Sequence, residues 1–347
     1  MEVWYGAEQV PETLRKASGC GSVVTLGVFD GVHRGHRAVL ARLVSHADAL
    51  AAREPQRPRP LAVAVTFDPH PVQVHRPERQ LPMVASLADR LDLLASTGLD
   101  AVLVVHYTLG FADQSAQAFV RTWFEELLGA RAVVVGDDVR FGRGNEGDAH
   151  TLEQIGARDG LEVEIVRDVL APSGRRWSST WVRELLETGD VAGAAEVLGR
   201  PHRLRGTVVH GLKRGREIGF PTANLYAATA GVVPPDGVYA GWLVRSPGSG
   251  DPAVPGVERL PSAISIGTNP TFDDVPERVV EAHVLGRADL NLYGEVVGIE
   301  LVERLRPMLA FDSLEPLLAQ MRRDVVDCAA VLGVPAPGPL RPEDVTA

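Results

Sequence analysis

Between Ser22 and Gly136 the chain repeats a pattern that few folds satisfy: a short apolar run, then a segment whose apolar residues return at helical spacing. The runs are "SVVTLGVF", "LAVAVTF", "DAVLVVHY" and "ARAVVVG". Between them lie "HRAVLARLVSHADALAA", "LADRLDLLASTG" and "SAQAFVRTWFEELLG". Such alternation predicts a parallel sheet with helices on its faces, and it continues to about Glu187. After Arg203 the texture changes. "GTVVHGL", "DGVYAGWLVR", "SAISIG", "RVVEAHVLG" and "EVVGIELVERL" read as short strands separated by Gly, Pro and Asp turns, and "SLEPLLAQMRRDVVDCAAVLG" reads as one long helix. That half predicts an antiparallel barrel or sandwich with a C-terminal helix. "GDVAGAAEVLGRPH" reads as a bridging helix ended by Gly199 and Pro201. The expected division is a first domain over 1–187, a linker over 188–203, a second domain over 204–338 and a tail over 339–347.

Charge and composition exclude several functions. A net charge of −10 argues against a nucleic-acid binder that works by neutralising phosphates, while leaving room for local basic pockets. Cys20 and Cys328 are the only cysteines, so neither a disulfide framework nor a cysteine-rich zinc site is available. "MEVWYGAEQVPETL" has no basic stretch leading into an apolar one, and no uncharged apolar run approaches the roughly 20 residues of a membrane span. The expectation is a soluble cytoplasmic protein without membrane association.

Parallel sheets bind ligands beyond the carboxyl ends of their strands. The first such loop lies in "VTLGVFDGVHRGHR", residues 24–37. Gly31 and Gly35 allow sharp turns and close approach. The following helix aims free N–H groups back at the loop, a favourable place for phosphate. His33 and His36 add side-chain donors; a metal site is the weaker reading, because no third ligand stands at a sensible spacing. Asp30 either braces the turn or serves as a ligand. In "SSTWVRELLETG", Ser178, Ser179 and Thr180 precede a helix with Arg183 in its first turn. Alone this is a capped helix with a surface arginine; beside the first loop it becomes a second wall for a triphosphate. "TFDPHP" ends another strand with Asp68, Pro69 and His70, and "GDDVRFGRGNEGD" follows a third with Asp137, Asp138, Arg140 and Phe141. Phe141 is either a core ring or a stacking platform.

In the second half, "GLKRGREIGFPTANL" interleaves Gly211, Gly215 and Gly219 with Lys213 and Arg216, which suits a loop over phosphates or a plain basic hairpin. Thr222 and Asn224 are two apart, so an extended segment points both the same way. Their neutral oxygens suit Mg²⁺ whose charge is balanced by ATP phosphates; the alternative is a simple turn. Glu281 lies in the apolar run "VVEAHVL", where a carboxylate facing a pocket can accept a proton from a substrate hydroxyl.

Together these stretches carry a resemblance. "GVFDGVHRGH", "TFDPHP", "GDDVRFGRGNEGD" and "SSTWVRELL" resemble the nucleotidyltransferase module of bacterial bifunctional riboflavin kinase/FAD synthetases, with departures at Val139 and Trp181. "GFPTANL", "DGVYAGWL", "SIGTNPTF", "VEAHVL" and "DLNLYG" resemble the riboflavin kinase module of the same family. The resemblance implies a Rossmann-like α/β nucleotidyltransferase domain followed by a six-stranded antiparallel β-barrel with a C-terminal helix. It implies phosphorylation of riboflavin by ATP to FMN and ADP, then adenylylation of FMN by a second ATP to FAD and pyrophosphate, with Mg²⁺ as the only cofactor. It assigns Gly27, Phe29, Asp30, Gly31, His33, Gly35, His36, Ser178, Ser179, Thr180 and Arg183 to the adenylylating ATP. Asp68, Pro69, His70, Asp137, Asp138, Arg140 and Phe141 fall to the flavin. Gly211, Lys213, Gly215, Arg216, Gly219, Pro221, Thr222 and Asn224 fall to the ATP of the kinase, with Glu281 as its base.

Overall fold

The computed structural model describes residues 1–15, 19–79, 81–210, 218–225, 231–245, 256–268 and 278–338. By its contacts the chain forms two compact units, Met1–Pro82 with Leu87–Ser178, and Met83–Ser86 with Ser179–Ala347.

The first unit is built on six strands: β1 (Glu2–Tyr5), β2 (Ser22–Leu26), β3 (Leu61–Asp68), β4 (Ala101–His106), β5 (Ala130–Gly136) and β6 (Glu162–Val166). They lie in the order β1-β4-β3-β2-β5-β6, and every pairing is parallel. The apolar runs fill the central strands because those are covered on both faces. Val24 and its neighbours Val63 and Val133 belong to one core with Phe119 and Phe124. Val23, one residue earlier, belongs to the other, with Leu40, Leu43 and Leu94. The helix Arg34–Arg53 seals that second face through Leu40, Leu43, Ala47 and Leu50, spaced three, four and three apart. The order reverses direction about β2, so the loop after β2 opens at the sheet's switch point.

This unit differs from the sequence reading in several elements. β1, β6 and the helix Ala149–Asp159 were not expected. The single helix expected over "SAQAFVRTWFEELLG" is a short α-turn, Ala116–Phe119, running into a π-helical stretch, Val120–Leu127. Val120, Phe124 and Leu128 are all fully buried at spacings of four, and the wider π turn keeps that spacing on one face.

The second unit begins with helices Ser179–Thr188 and Val191–Leu198, the latter ended by Gly199 at φ 74°. Six strands follow: β7 (His202–Val209), β8 (Ala223–Leu225), β9 (Gly237–Arg245), β10 (Glu258–Thr268), β11 (Arg278–Val284) and β12 (Val296–Pro307). They close into an antiparallel barrel in the order β10-β11-β8-β7-β12-β9, which decides between barrel and sandwich. Ile264 sits in register with Tyr239 and Ala282, and Ile299 with Leu204 and Leu243; all are almost wholly buried. At Gly241 the strands press so close that a Cβ would lie 2.0 Å from the carbonyl of Glu300, so no other residue fits. The helix Leu314–Leu332 packs Cys328 and Ala329 on Ala240 and Ala263, which identifies that strand face as the barrel's exterior.

Candidate active sites

In the first unit, the loop from Gly27 to His33 leaves β2 and enters the helix Arg34–Arg53 under strain. Phe29 and Val32 have φ of 54° and 41°, in the left-handed region that a β-branched residue avoids. Each such residue costs of order 1–3 kcal/mol and persists only where its surroundings impose it. Here they do: Val32 and Phe29 are buried to 0% and 2% in the core behind the loop. The burial of two side chains thereby fixes an unusual backbone at the carboxyl edge of the sheet.

His33 caps the helix. Its Nδ1 accepts from the backbone N–H of His36 at 3.3 Å, which leaves the ring proton on Nε2. The two imidazoles stack, with centroids 3.6 Å apart and planes 23° from parallel, and Phe29 meets His36 edge-on. Burial, then the nearby His33 and Arg176, hold the pKa of His36 well below the ordinary histidine range. His36 is therefore a neutral donor at neutral pH. Its Nδ1 is closed off from solvent and meets no hydrogen-bonding partner among the described residues. Gly35 sits in a tight spot: a Cβ there would lie 3.1 Å from the His33 ring and 3.2 Å from the carbonyl of Trp177. That contact draws Trp177 and Ser178 alongside the histidine loop, with the Arg34 guanidinium 5.8 Å from the Trp177 ring. Ser179, Thr180 and Arg183 lie on the first turns of the helix Ser179–Thr188, which the contacts place in the second unit.

Because β2, β3 and β5 run parallel, their following loops share one edge. Asp68 ends β3 half-exposed, with the Arg90 guanidinium 3.7 Å away. His70, after Pro69, caps the helix Pro71–His75 by accepting from Val72 N–H at 3.0 Å. After β5, Asp138 pairs with Arg176 at 2.7 Å, and Asp137, Asp138 and Asp168 bring carboxylate oxygens within 4.8 Å of one another. Burial, offset by Arg176 and reinforced by Asp137 and Asp138, raises the pKa of Asp168. Arg140 is exposed and bonds the carbonyl of Val139. Phe141 takes the core alternative: it is 5% exposed and packs on Phe119, centroids 5.8 Å apart. The sequence reading missed Arg90 and Arg176. Arg90 carried a signal, a charge three residues after Leu87 and four before Leu94 on an apolar helical stripe.

The second unit gathers its candidates by strand register. Glu281 faces Asn224 across β11 and β8, and opposite partners in an antiparallel pair share a face. The Asn224 amide donates to Thr222 Oγ1 at 3.2 Å and to its carbonyl at 3.1 Å. Thr222, Asn224 and Glu281 thus converge on one strand face. It is the barrel's exterior, since His283 lies on it opposite Ala263. His283 bonds the carbonyl of Pro221 at 2.9 Å and faces Phe220, steadying the segment after Gly219, whose φ is 80°. Burial raises the pKa of Glu281, as a carboxylate base requires if it is to approach neutral pH. Thr222 also reaches the wall of a pocket formed with Val208, Pro221, Ala282, Arg287 and Tyr293. Gly211, Lys213, Gly215 and Arg216 lie outside the described residues.

The first unit thus carries a histidine-bearing loop at the switch point of a parallel sheet, and the second a Thr–Asn–Glu face on a closed barrel. Residues 15–181 match the FAD synthetase family model and residues 198–332 the riboflavin kinase model. The chain is 37% identical over 325 residues to the bifunctional riboflavin kinase/FMN adenylyltransferase of Escherichia coli K12, covering 93% of this chain and 97% of that one. It is 36% identical to the protein of that description from Listeria monocytogenes, over 92% of this chain and 95% of the relative. A solved structure titled as a macrolide-efflux protein from Streptococcus pneumoniae superposes with a TM-score of 0.76 at 29% identity, over 93% of this chain and 97% of that one. The chain belongs to the bifunctional riboflavin kinase/FMN adenylyltransferase family.

Proposed function

We propose that the second unit phosphorylates riboflavin and the first adenylylates the FMN so formed, each with ATP, on the residues described above. The observation that carries the kinase half is the register that sets Glu281 opposite Asn224, whose amide reaches Thr222. Glu281 takes the proton from the ribityl 5′-hydroxyl as that oxygen attacks the γ-phosphorus, and ADP leaves. Its raised pKa strengthens it as a base. Thr222 Oγ1 and Asn224 Oδ1 form a neutral, hard pair of oxygens that fits Mg²⁺, which when bound offsets the phosphate charge.

In the first unit an FMN phosphate oxygen forms a bond to the α-phosphorus of ATP while the bond to the bridging oxygen breaks and pyrophosphate departs. The nucleophile is already an anion, so no base is required and catalysis rests on placement and charge stabilisation. The Nε2–H of His33 and the neutral His36 ring donate to the triphosphate. The residues working on FMN lie within 1–187, those working on riboflavin within 204–338, and 188–203 joins them. The reaction belongs to the cytoplasm, where ATP is abundant; among the described residues no helix is long and apolar enough to cross a membrane.

The test is to incubate the protein with riboflavin, ATP and Mg²⁺ and separate the flavins by chromatography. FMN should rise first and FAD follow. Appearance of FAD without an FMN phase, or of neither product, would overturn the proposal.

A further inference from the structure

We infer that Arg90 is a positioning residue for nucleotidyl transfer: together with Thr66 it pins the carbonyl of Val28 and so holds the strained histidine loop in its working shape. The loop turns three times through positive φ, at Phe29, Gly31 and Val32. The burial of Phe29 and Val32 fixes two side chains but leaves the backbone where the loop departs from β2 to be fixed by other means. Val28 is that point, and its carbonyl accepts two hydrogen bonds, from Arg90 Nη1 at 2.8 Å and from Thr66 Oγ1 at 3.0 Å. Both donors are buried, Arg90 to 1% and Thr66 to 0%. Nη2 of the same guanidinium points at Asp68, 3.7 Å away, at the end of β3. Asp30, within the histidine loop, and Asp68 are the carboxylates that balance its charge. One buried cation therefore ties together the loops that follow β2 and β3.

Packing alone does not call for an arginine here. Arg90 shares its helical stripe with Leu87, Leu91 and Leu94, and an apolar side chain of similar volume would fill the space without desolvating a charge. Among the described residues its Nε is buried without a hydrogen-bonding partner, a further penalty. What the guanidinium supplies, and an apolar chain cannot, is a rigid fork held against a carbonyl on one side and a carboxylate on the other.

This inference rests on the assignment of the histidine loop to FMN adenylylation. Arg90→Met, Arg90→Lys and Thr66→Val should be assayed with His36→Ala for conversion of supplied FMN to FAD, and in the same preparations for riboflavin phosphorylation. In Arg90→Met, kcat for FAD should fall about 10²-fold with KM for ATP little changed, the signature of reacting groups displaced by about 1 Å. Arg90→Lys should recover part of that loss, Thr66→Val should lose about tenfold, and riboflavin phosphorylation should stay at wild-type rate throughout. Full kcat in Arg90→Met would overturn the inference. So would a loss that Arg90→Lys does not relieve and that disappears when the assay is cooled below the variant's melting point. If Arg90→Met gives no soluble protein, Arg90→Lys and Thr66→Val decide, and wild-type kcat in both would overturn it. Should His36→Ala itself leave FAD formation intact, the assignment of the loop falls; should His36→Ala be inactive and the Arg90 and Thr66 variants normal, only the positioning role falls.

Discussion

His202 makes the stability of the barrel depend on pH in a calculable way. It opens β7, is 1% exposed, and its Nε2–H donates to the carbonyl of Val232 at 2.8 Å. Burial lowers its pKa from 6.5 to about 4, outweighing the hydrogen bond, which acts in the other direction. In the folded state the ring stays neutral where the unfolded chain would take a proton, so stability is fully present above 6.5 and is lost as pH falls towards 4. Between pH 7 and 5 the loss is about 2 kcal/mol, and below pH 4 it reaches about 3 kcal/mol. The perturbation is His202→Gln, whose amide can still donate to Val232 but does not titrate. The assay is hydrogen exchange resolved to residues 202–209 and corrected for the intrinsic pH dependence of exchange. On going from pH 7 to 5, wild-type protection should fall about 30-fold more than that of the variant. His283 is also held below its ordinary pKa by burial, but it is present in both proteins and cancels. Equal pH slopes in the two proteins would refute the reasoning.

His36→Ala removes one preorganised donor and should slow FAD formation about 10²–10³-fold while riboflavin phosphorylation continues at its normal rate, both read from one chromatogram. Glu281→Gln should slow riboflavin phosphorylation about 10²–10⁴-fold and leave FMN adenylylation unchanged. Because burial raises the pKa of Glu281, the wild-type kinase rate should begin to fall above the ordinary glutamate value as pH drops, and that limb should vanish in the variant's pH profile. Asp324 accepts two bonds from Arg306, at 2.8 and 2.6 Å, and one from Gln320 at 2.8 Å. Asp324→Asn leaves a largely buried guanidinium uncompensated and should cost about 3–5 kcal/mol, measured by urea unfolding followed at Trp242.

The elements legible in the sequence are those whose apolar residues met one covering surface at one period. The runs of β2 to β5 are buried on both faces, and Leu40, Leu43, Ala47 and Leu50 keep helical spacing, so both patterns survive intact in the chain. β6 failed that test because "EVEIV" is an edge strand whose glutamates bind Arg42, His46 and Arg53 across the surface. The π stretch was hidden because residues spaced by four fit an α-helical pattern nearly as well. At the sites, residue type and spacing pointed to His33, His36, Thr222 and Asn224. The stacking of the histidines, the facing of Glu281 on Asn224 and the grip of Arg90 on Val28 depend on register and on contacts between distant segments, which no local window contains.

The two sheets also differ in what they offer to other chains. Among the described residues each barrel strand has a hydrogen-bonded neighbour on both sides, so the barrel has no terminal strand. The parallel sheet ends in two bare margins, β1 and β6. β1 is four residues long, too short to template much, and β6 presents Glu162 and Glu164 paired with Arg53 and Arg42 of the helix Arg34–Arg53. Docking a foreign strand there would require stripping these ion-paired side chains of water and partners, which makes β6 a poor template for pairing as well as the last strand of the sheet. Neutralising it, as in a Glu162→Val/Glu164→Val double variant, would convert a polar rim into a five-residue apolar strand open to self-association.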